Sequence, residues 1–147
     1  MKLYELIRIL PDVISVDGPT EVEVNLVVDD SRRAKEGALF VAVAGENFDG
    51  HDFIPEVIKN GAKAVIGEKA LRLSQDVTYI RVKNSRRALA VSSAWLYGFP
   101  ADKLKLVGVT GTSGKTTTTY LVKAMLKEAG VRRSEEHTSE LQSQFHL

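Results

Sequence analysis

The run Gly108-Val109-Thr110-Gly111-Thr112-Ser113-Gly114-Lys115-Thr116-Thr117 constrains this chain more than any other feature of it. Val107-Gly108-Val109-Thr110 reads as the end of a buried strand. Leu121, Val122, Met125 and Leu126 then recur at helical spacing. A Gly-rich turn between a strand and a helix start presents backbone N–H groups to an anion. Lys115 adds a point charge suited to β- and γ-phosphates, and the Thr116 hydroxyl is placed to ligate Mg²⁺. The stretch therefore predicts a nucleoside-triphosphate site, with Gly111, Thr112, Ser113, Gly114, Lys115, Thr116 and Thr117 around the phosphates.

The strict Gly-x-x-x-x-Gly-Lys-Thr pattern would require glycine at 109, where this chain has Val109. The turn is shorter, Gly111-x-x-Gly114-Lys115-Thr116. A turn that only caps a helix is the alternative, and the strand-then-helix context argues against it. A parallel sheet needs several crossover units to bury its central strand. Too few residues follow the loop to supply them, so the expectation is a central ATP-binding domain cut short, and a chain with no ligase or ATPase activity of its own.

Composition narrows the class. The hydrophobic share of 44% and charged share of 27% are those of an ordinary soluble globular chain. A net charge of +1 without a basic stripe makes no case for nucleic acid or a membrane surface. The absence of cysteine removes disulfides, thiolate catalysis and cysteine metal sites. Met1 to Leu10 mixes Lys2, Glu5 and Arg8 with Leu3, Leu6, Ile7 and Leu10, which predicts an amphipathic helix and not a signal sequence.

Three zones follow. Residues 1–103 alternate short apolar runs with helical stretches, which predicts an α/β layer structure. Val24–Val28, Ala38–Val43, Ala62–Ile66 and Val77–Val82 read as strands. Phe53–Asn60 reads as a helix stopped by Gly61, and Ser85–Tyr97 as a second helix with Ser85 as its N-cap. Ala88, Leu89, Ser92, Trp95 and Leu96 form its inner face; Trp95, Tyr97 and Phe99 read as core and interdomain packing. Gly98-Phe99-Pro100-Ala101-Asp102 breaks the pattern as a connection. Residues 104–132 carry the phosphate loop. In 133–147 apolar periodicity vanishes, and Arg133 to Ser143 looks like a translated sequencing adapter, so this segment reads as a non-native tail. Leaving it out removes one base and three acids, raising the net charge from +1 to +3, a bias suited to an anionic ligand.

A second polar constellation follows two of the strands. Asp29-Asp30-Ser31-Arg32-Arg33 comes after Val24–Val28, and Ala44-Gly45-Glu46-Asn47-Phe48-Asp49-Gly50-His51 after Ala38–Val43. Two such loops at the same ends of neighbouring strands could form one crevice. Arg32 could offer phosphate a bidentate fork. Spacing alone favours reading Asp30, Asp49 and the glycines as turn formers, and His51 as a capping or packing residue and not a catalyst.

Together these residues resemble a family. Asp30-Ser31-Arg32, Gly37 to Ala42, Gly45 with Asp49 to Ile54, Gly61-Ala62 and Val107 to Thr118 are similar, in order and spacing, to the N-terminal part of the Mur ligases of bacterial cell-wall synthesis. Ser113 stands where the family usually has Asn. The Thr110-Gly111-Thr112 form resembles the member that adds the third peptide residue. The member that adds D-Ala-D-Ala usually has Thr-Gly-Ser there and is the alternative, as is a stand-alone nucleotide-sugar binding module.

The resemblance implies a cytoplasmic, monomeric, ATP- and Mg²⁺-dependent ligase acting on UDP-N-acetylmuramoyl-L-alanyl-D-glutamate and a diamino acid. It further implies that 1–103 holds the uridine-diphosphate end, with Asp29 and Ser31 at the nucleotide and Glu46, Asn47 and Phe48 in a second contacting loop. Gly111 to Thr117 would bind ATP, Lys115 would stabilise the transferred phosphoryl, and Thr116 would hold Mg²⁺.

Overall fold

The computed structural model describes residues 1–46, 48–104 and 107–130. The chain divides into two units, Met1–Lys105 and Leu106–Leu147. The expected non-native tail lies outside the described residues.

The first unit is built on a five-stranded sheet. Its strands are β1 (Val13–Asp17), β2 (Leu26–Val28), β3 (Ala38–Val41), β4 (Ala64–Gly67) and β5 (Thr78–Val82), and their spatial order is β1-β5-β4-β3-β2. β2 to β5 are mutually parallel, with Val28 opposite Phe40, Val41 opposite Ile66 and Ile66 opposite Ile80. β1 runs antiparallel along β5. β3 and β4 are buried at every position, as central parallel strands covered on both faces must be.

The two-residue alternation of a strand sorts the core into two layers. Leu39, Val41, Ala64, Ile66, Ile80 and Val82 face one side, against α1 (Leu3–Ile7) and α3 (Ser85–Leu96). Leu3, Leu6, Ala88 and Trp95 are the buried apolar residues those helices contribute. Ala38, Phe40, Ala42, Val65 and Tyr79 face the other, against Ile54 and Val57 of α2 (Ile54–Lys59). The short α1 cannot stand alone. It is tied down by Leu3 N–H to the Val22 carbonyl (3.0 Å) and by the chain's amino group to the Val24 carbonyl (2.9 Å).

Sequence and structure differ at several places. The predicted helix over Met1–Leu10 forms only at Leu3–Ile7. β1 has no counterpart in the sequence reading, although Val13, Ile14 and Val16 between Asp12 and Gly18 carry a strand's β-branched signature. It is an edge strand with exposed positions and a register shift between Val13 and Ser15, which blurs the alternation. The N-cap of α3 is Asn84, whose carboxamide oxygen accepts from Arg87 N–H (2.9 Å), and not Ser85. Ser85 is the first helical residue and is buried. Trp95 is in the core and Phe99 packs against it, whereas Tyr97 is 75% exposed.

The second unit is described by α4 (Lys115–Glu128) and the loop before it. Val107-Gly108-Val109-Thr110, expected to end a buried strand, forms no strand, and Val107 is exposed. Ladder bonds need a neighbouring strand, and among the described residues nothing pairs with this segment. Leu121 and Met125 are likewise exposed.

Phe40 and Met125 test this contrast. Phe40→Ala should cost about 3–5 kcal/mol in urea unfolding, because a fully buried ring leaves a cavity between sheet and α2. Met125→Ala should lie within about 0.5 kcal/mol of the parent.

Candidate functional site

Parallel pairing puts the carboxyl ends of β2, β3, β4 and β5 along one edge of the sheet. The segments leaving that edge are Asp29–Arg33, Ala42–Asp49, Glu68-Lys69 and Lys83–Ser85. Ligands of open α/β sheets bind at this edge.

In the first segment, Asp30 caps a 3₁₀ turn over Ser31–Arg33. Its Oδ1 accepts the Arg32 amide (3.0 Å) and Nε–H (2.9 Å), and its Oδ2 accepts from Arg32 Nη2 (2.7 Å). Those bonds hold the Asp30 carboxyl down at about 2 and raise the Arg32 guanidinium further. The bidentate fork expected for phosphate is thus engaged by Asp30 within its own loop. Asp29 is exposed and Ser31 half-buried.

The second segment is a tight turn. Gly45 N–H donates to the Phe48 carbonyl (2.8 Å), and Gly50 N–H to the Val43 carbonyl (2.9 Å). The turn leaves Glu46 exposed and Phe48 75% exposed; Asn47 lies outside the described residues. An aromatic ring held in solvent by a closed turn offers a stacking face.

At the base of this turn His51 is buried, only 6% exposed. Its Nε2 accepts the Glu68 amide (2.9 Å), so its proton sits on Nδ1, which donates to Asp49 Oδ1 (2.6 Å). Asp49 also accepts the His51 amide (2.9 Å) and pairs through Oδ2 with Lys69 Nζ (2.7 Å). The Lys69 ammonium, then the His51 bonds, hold the Asp49 carboxyl far below the usual range, and Asp49 raises Lys69 in return. Glu68 in turn accepts the Ser85 amide (2.7 Å) and hydroxyl (2.8 Å), which lower its pKa. Arg86 Nη2 donates to the Ala44 carbonyl (3.0 Å). Gly67 permits this arrangement: a Cβ there would lie 2.6 Å from the Tyr79 hydroxyl and 2.7 Å from His51 Nε2. Burial pushes Tyr79 up to about 12, and its hydroxyl donates to the Lys69 carbonyl (2.7 Å).

In the second unit, Gly114 (φ 74°) precedes α4 as its N-cap, and Gly111 also has positive φ (153°), conformations that favour glycine. The first helical bond after the cap runs from Thr118 N–H to the Gly114 carbonyl (2.9 Å). The amides of Lys115, Thr116 and Thr117 therefore precede the ladder, as in any helix start open to an anion. Lys115 Nζ folds back across the loop onto the Gly111 carbonyl (2.7 Å). Among the described residues no group of three or more His, Cys, Asp or Glu could hold a metal. The Thr116 hydroxyl is a single hard oxygen donor, which fits Mg²⁺ carried on phosphates and not a protein cage.

Known proteins place this arrangement. The profile of the Mur ligase family, catalytic domain, matches residues 23–145, and the chain belongs to that family. It is 44% identical over 135 residues to the UDP-N-acetylmuramoyl-L-alanyl-D-glutamate–2,6-diaminopimelate ligase of Clostridium tetani, covering 90% of this chain and 28% of that protein. It is 45% identical over 130 residues to the enzyme of the same name from Syntrophomonas wolfei, covering 88% of this chain and 26% of that protein. The chain thus spans about a quarter of the length of these curated relatives. Among solved structures it resembles the UDP-N-acetylmuramoylalanyl-D-glutamyl-2,6-diaminopimelate–D-alanyl-D-alanyl ligase of Acinetobacter baumannii, with a TM-score of 0.51 and 32% identity, covering 71% of this chain and 23% of that one.

The sequence reading singled out the phosphate loop and both segments of the sheet edge, but missed Glu68 and Lys69 altogether. No local motif marks them, because their partners His51, Asp49 and Ser85 are distant in sequence.

A depressed folded-state pKa contributes stability above the carboxylate's unfolded value, and that stability is lost as pH falls through the folded value. Asp49→Asn should therefore lower the urea midpoint at neutral pH. The gap from the parent should narrow below about pH 4, the ordinary aspartate range. Urea titrations across pH read this directly.

Proposed function

We propose that this chain is the nucleotide-handling part of an ATP-dependent ligase that joins a diamino acid to UDP-N-acetylmuramoyl-L-alanyl-D-glutamate. One observation carries the reading. Two polar loops at the carboxyl edge of a parallel sheet and a Gly-Lys-Thr loop occur in one chain that is 44% identical, over most of its length, to a ligase whose name states that reaction. The solved-structure likeness favours a second reading, the D-Ala-D-Ala-adding member, but at a lower identity of 32%.

The residues divide the work by chemistry. Ser31 supplies a hydroxyl and Asp29 a carboxylate at the exposed mouth of the first segment, suited to the hydrogen-bonding edge of a uracil and its ribose. Phe48 supplies an apolar face against the base, and Glu46 an acceptor beside it. In the second unit the Gly111–Thr117 amides and the Lys115 ammonium would neutralise and orient phosphate oxygens, and the Thr116 hydroxyl would be a ligand for Mg²⁺. Positioning and charge neutralisation account for most of the acceleration in phosphoryl transfer. ATP, when bound, supplies the activated phosphoryl that turns a carboxylate into an acylating group for an incoming amine.

We assign residues 1–103 to the uridine substrate, 104–132 to the beginning of the ATP domain, and 133–147 to a tail outside both. We assign the working enzyme to the cytoplasm, as a monomer, on the family resemblance alone. No described helix is long and apolar enough to cross a membrane.

Titrating UDP into ¹⁵N-labelled protein should move the amides of Ser31 and Phe48 at millimolar ligand. No movement at either would count against the assignment. Lys115→Ala should weaken ATP binding by roughly tenfold or more in equilibrium dialysis, with the circular dichroism spectrum unchanged. Equal affinity would remove Lys115 from the phosphate site.

A further inference from the structure

Four hydrogen bonds at the carboxyl edge close into a ring that neither nucleotide loop explains. The turn after β3 reaches the loop after β4 through His51, whose Nε2 accepts the Glu68 amide (2.9 Å). That loop reaches the start of α3 through the Glu68 carboxylate, which accepts the Ser85 amide (2.7 Å) and hydroxyl (2.8 Å). α3 returns to the turn through Arg86, which donates to the Ala44 carbonyl (3.0 Å). Asp49, at the foot of the turn, takes the His51 Nδ1 proton (2.6 Å) and the Lys69 ammonium (2.7 Å), doubling the first link. The ring joins elements that follow three neighbouring strands, β3, β4 and β5.

We propose that His51 is a positioning residue for the Ala44–Asp49 turn: its ring, in the Nδ1–H form, fixes the turn's foot to the neighbouring loop and so sets where Glu46 and Phe48 stand for a uridine nucleotide. The proposal rests on the nucleotide reading above for its ligand, and on geometry alone for its effect on the turn. Both ring nitrogens are used at once, one donating and one accepting, and a simple packing residue has no need of either. The ring is buried, so water does not replace a lost partner. The turn itself carries little apolar burial: Ala44, Gly45, Glu46 and Phe48 are all exposed. Its order therefore depends on the polar links at its foot.

Two near-isosteric variants separate the links. In His51→Asn the carboxamide can still donate to Asp49 but cannot reach Glu68. In His51→Gln the carbonyl can still accept from Glu68 but the donor to Asp49 is lost. Lys69→Met, at a half-exposed side chain, weakens the Asp49 anchor without touching the core. Amide hydrogen exchange of the ligand-free chain is the first readout. Faster exchange at Gly45 and Gly50 in the His51 variants, with Val41 and Ile66 unchanged, is expected. An equal loss of protection at Val41 and Ile66 would make His51 a packing residue and overturn the inference. UDP affinity is the second readout, and each His51 variant should bind roughly tenfold more weakly, with Lys69→Met between them and the parent. Parent-like affinity and exchange in both His51 variants would also overturn it. Ring ¹⁵N shifts of His51 should report the Nδ1–H tautomer, and the Nε2–H form would contradict the ring of bonds. If the parent itself failed to bind UDP, the nucleotide reading would fall, while the exchange data would still decide the role of His51.

Discussion

The parallel pairing of β2 to β5 is the constraint on which the rest of the first unit depends. Parallel strands cannot be joined by tight hairpins, so each connection must cross back over the sheet. The crossing from β3 to β4 carries α2 over one face, α3 returns from the end of β5 over the other, and together they bury β3 and β4 throughout. The same geometry delivers the ends of four strands to one edge. Polar side chains scattered along the sequence, from Asp30 to Ser85, meet there because the backbone leaves them no other place. The apolar core and the polar edge are two results of one pairing scheme.

The polar edge is held differently from the core. Dispersion and burial hold Phe40 or Ile66, whereas charge-assisted hydrogen bonds to partially shielded carboxylates hold the edge. Asp30, Asp49 and Glu68 each lie below the ordinary carboxylate range: Asp30 through the Arg32 side chain and then its amide, Asp49 through the Lys69 ammonium and then the His51 bonds, and Glu68 through the Ser85 amide and then its hydroxyl. The phosphate loop in the second unit follows another logic, in which positive-φ glycines and a helix start create a concentration of donors without any carboxylate.

Much of this was legible in the sequence, and the exceptions have physical causes. β3 and β4 were readable because fully buried strands are continuous apolar runs, and β5 because Tyr79, Ile80 and Val82 surround its one half-buried position, Arg81; their bounds differ from the expectation by one or two residues. β1 was not, since an edge strand exposes Ser15 and Asp17 and needs no apolar face. Ser85 looked like a cap because serine caps helices well, but Asn84 beside it does so too, and only the Glu68 carboxylate decides between them. The Gly-Lys-Thr loop was visible as local chemistry. The strand before it was inferred from apolar residues, and a strand is a property of neighbours that a short segment does not carry alone. Arg32 was read as a ligand group when Asp30, two residues away, already occupied it. His51 could be seen, but its role could not, because Glu68 and Lys69 lie far along the chain.

Gly67 closes the packing of the edge from beneath, with Tyr79 and His51 both standing where its side chain would be. Its consequence is evolutionary. Position 67 cannot acquire a side chain by a single tolerated step while both neighbours keep their size. Only a lineage that first gave up the bulk of both the tyrosine and the histidine would free the position; one that kept either would hold the glycine. The three residues therefore form a unit of inheritance, linked by the space they share and not by their nearness in the gene.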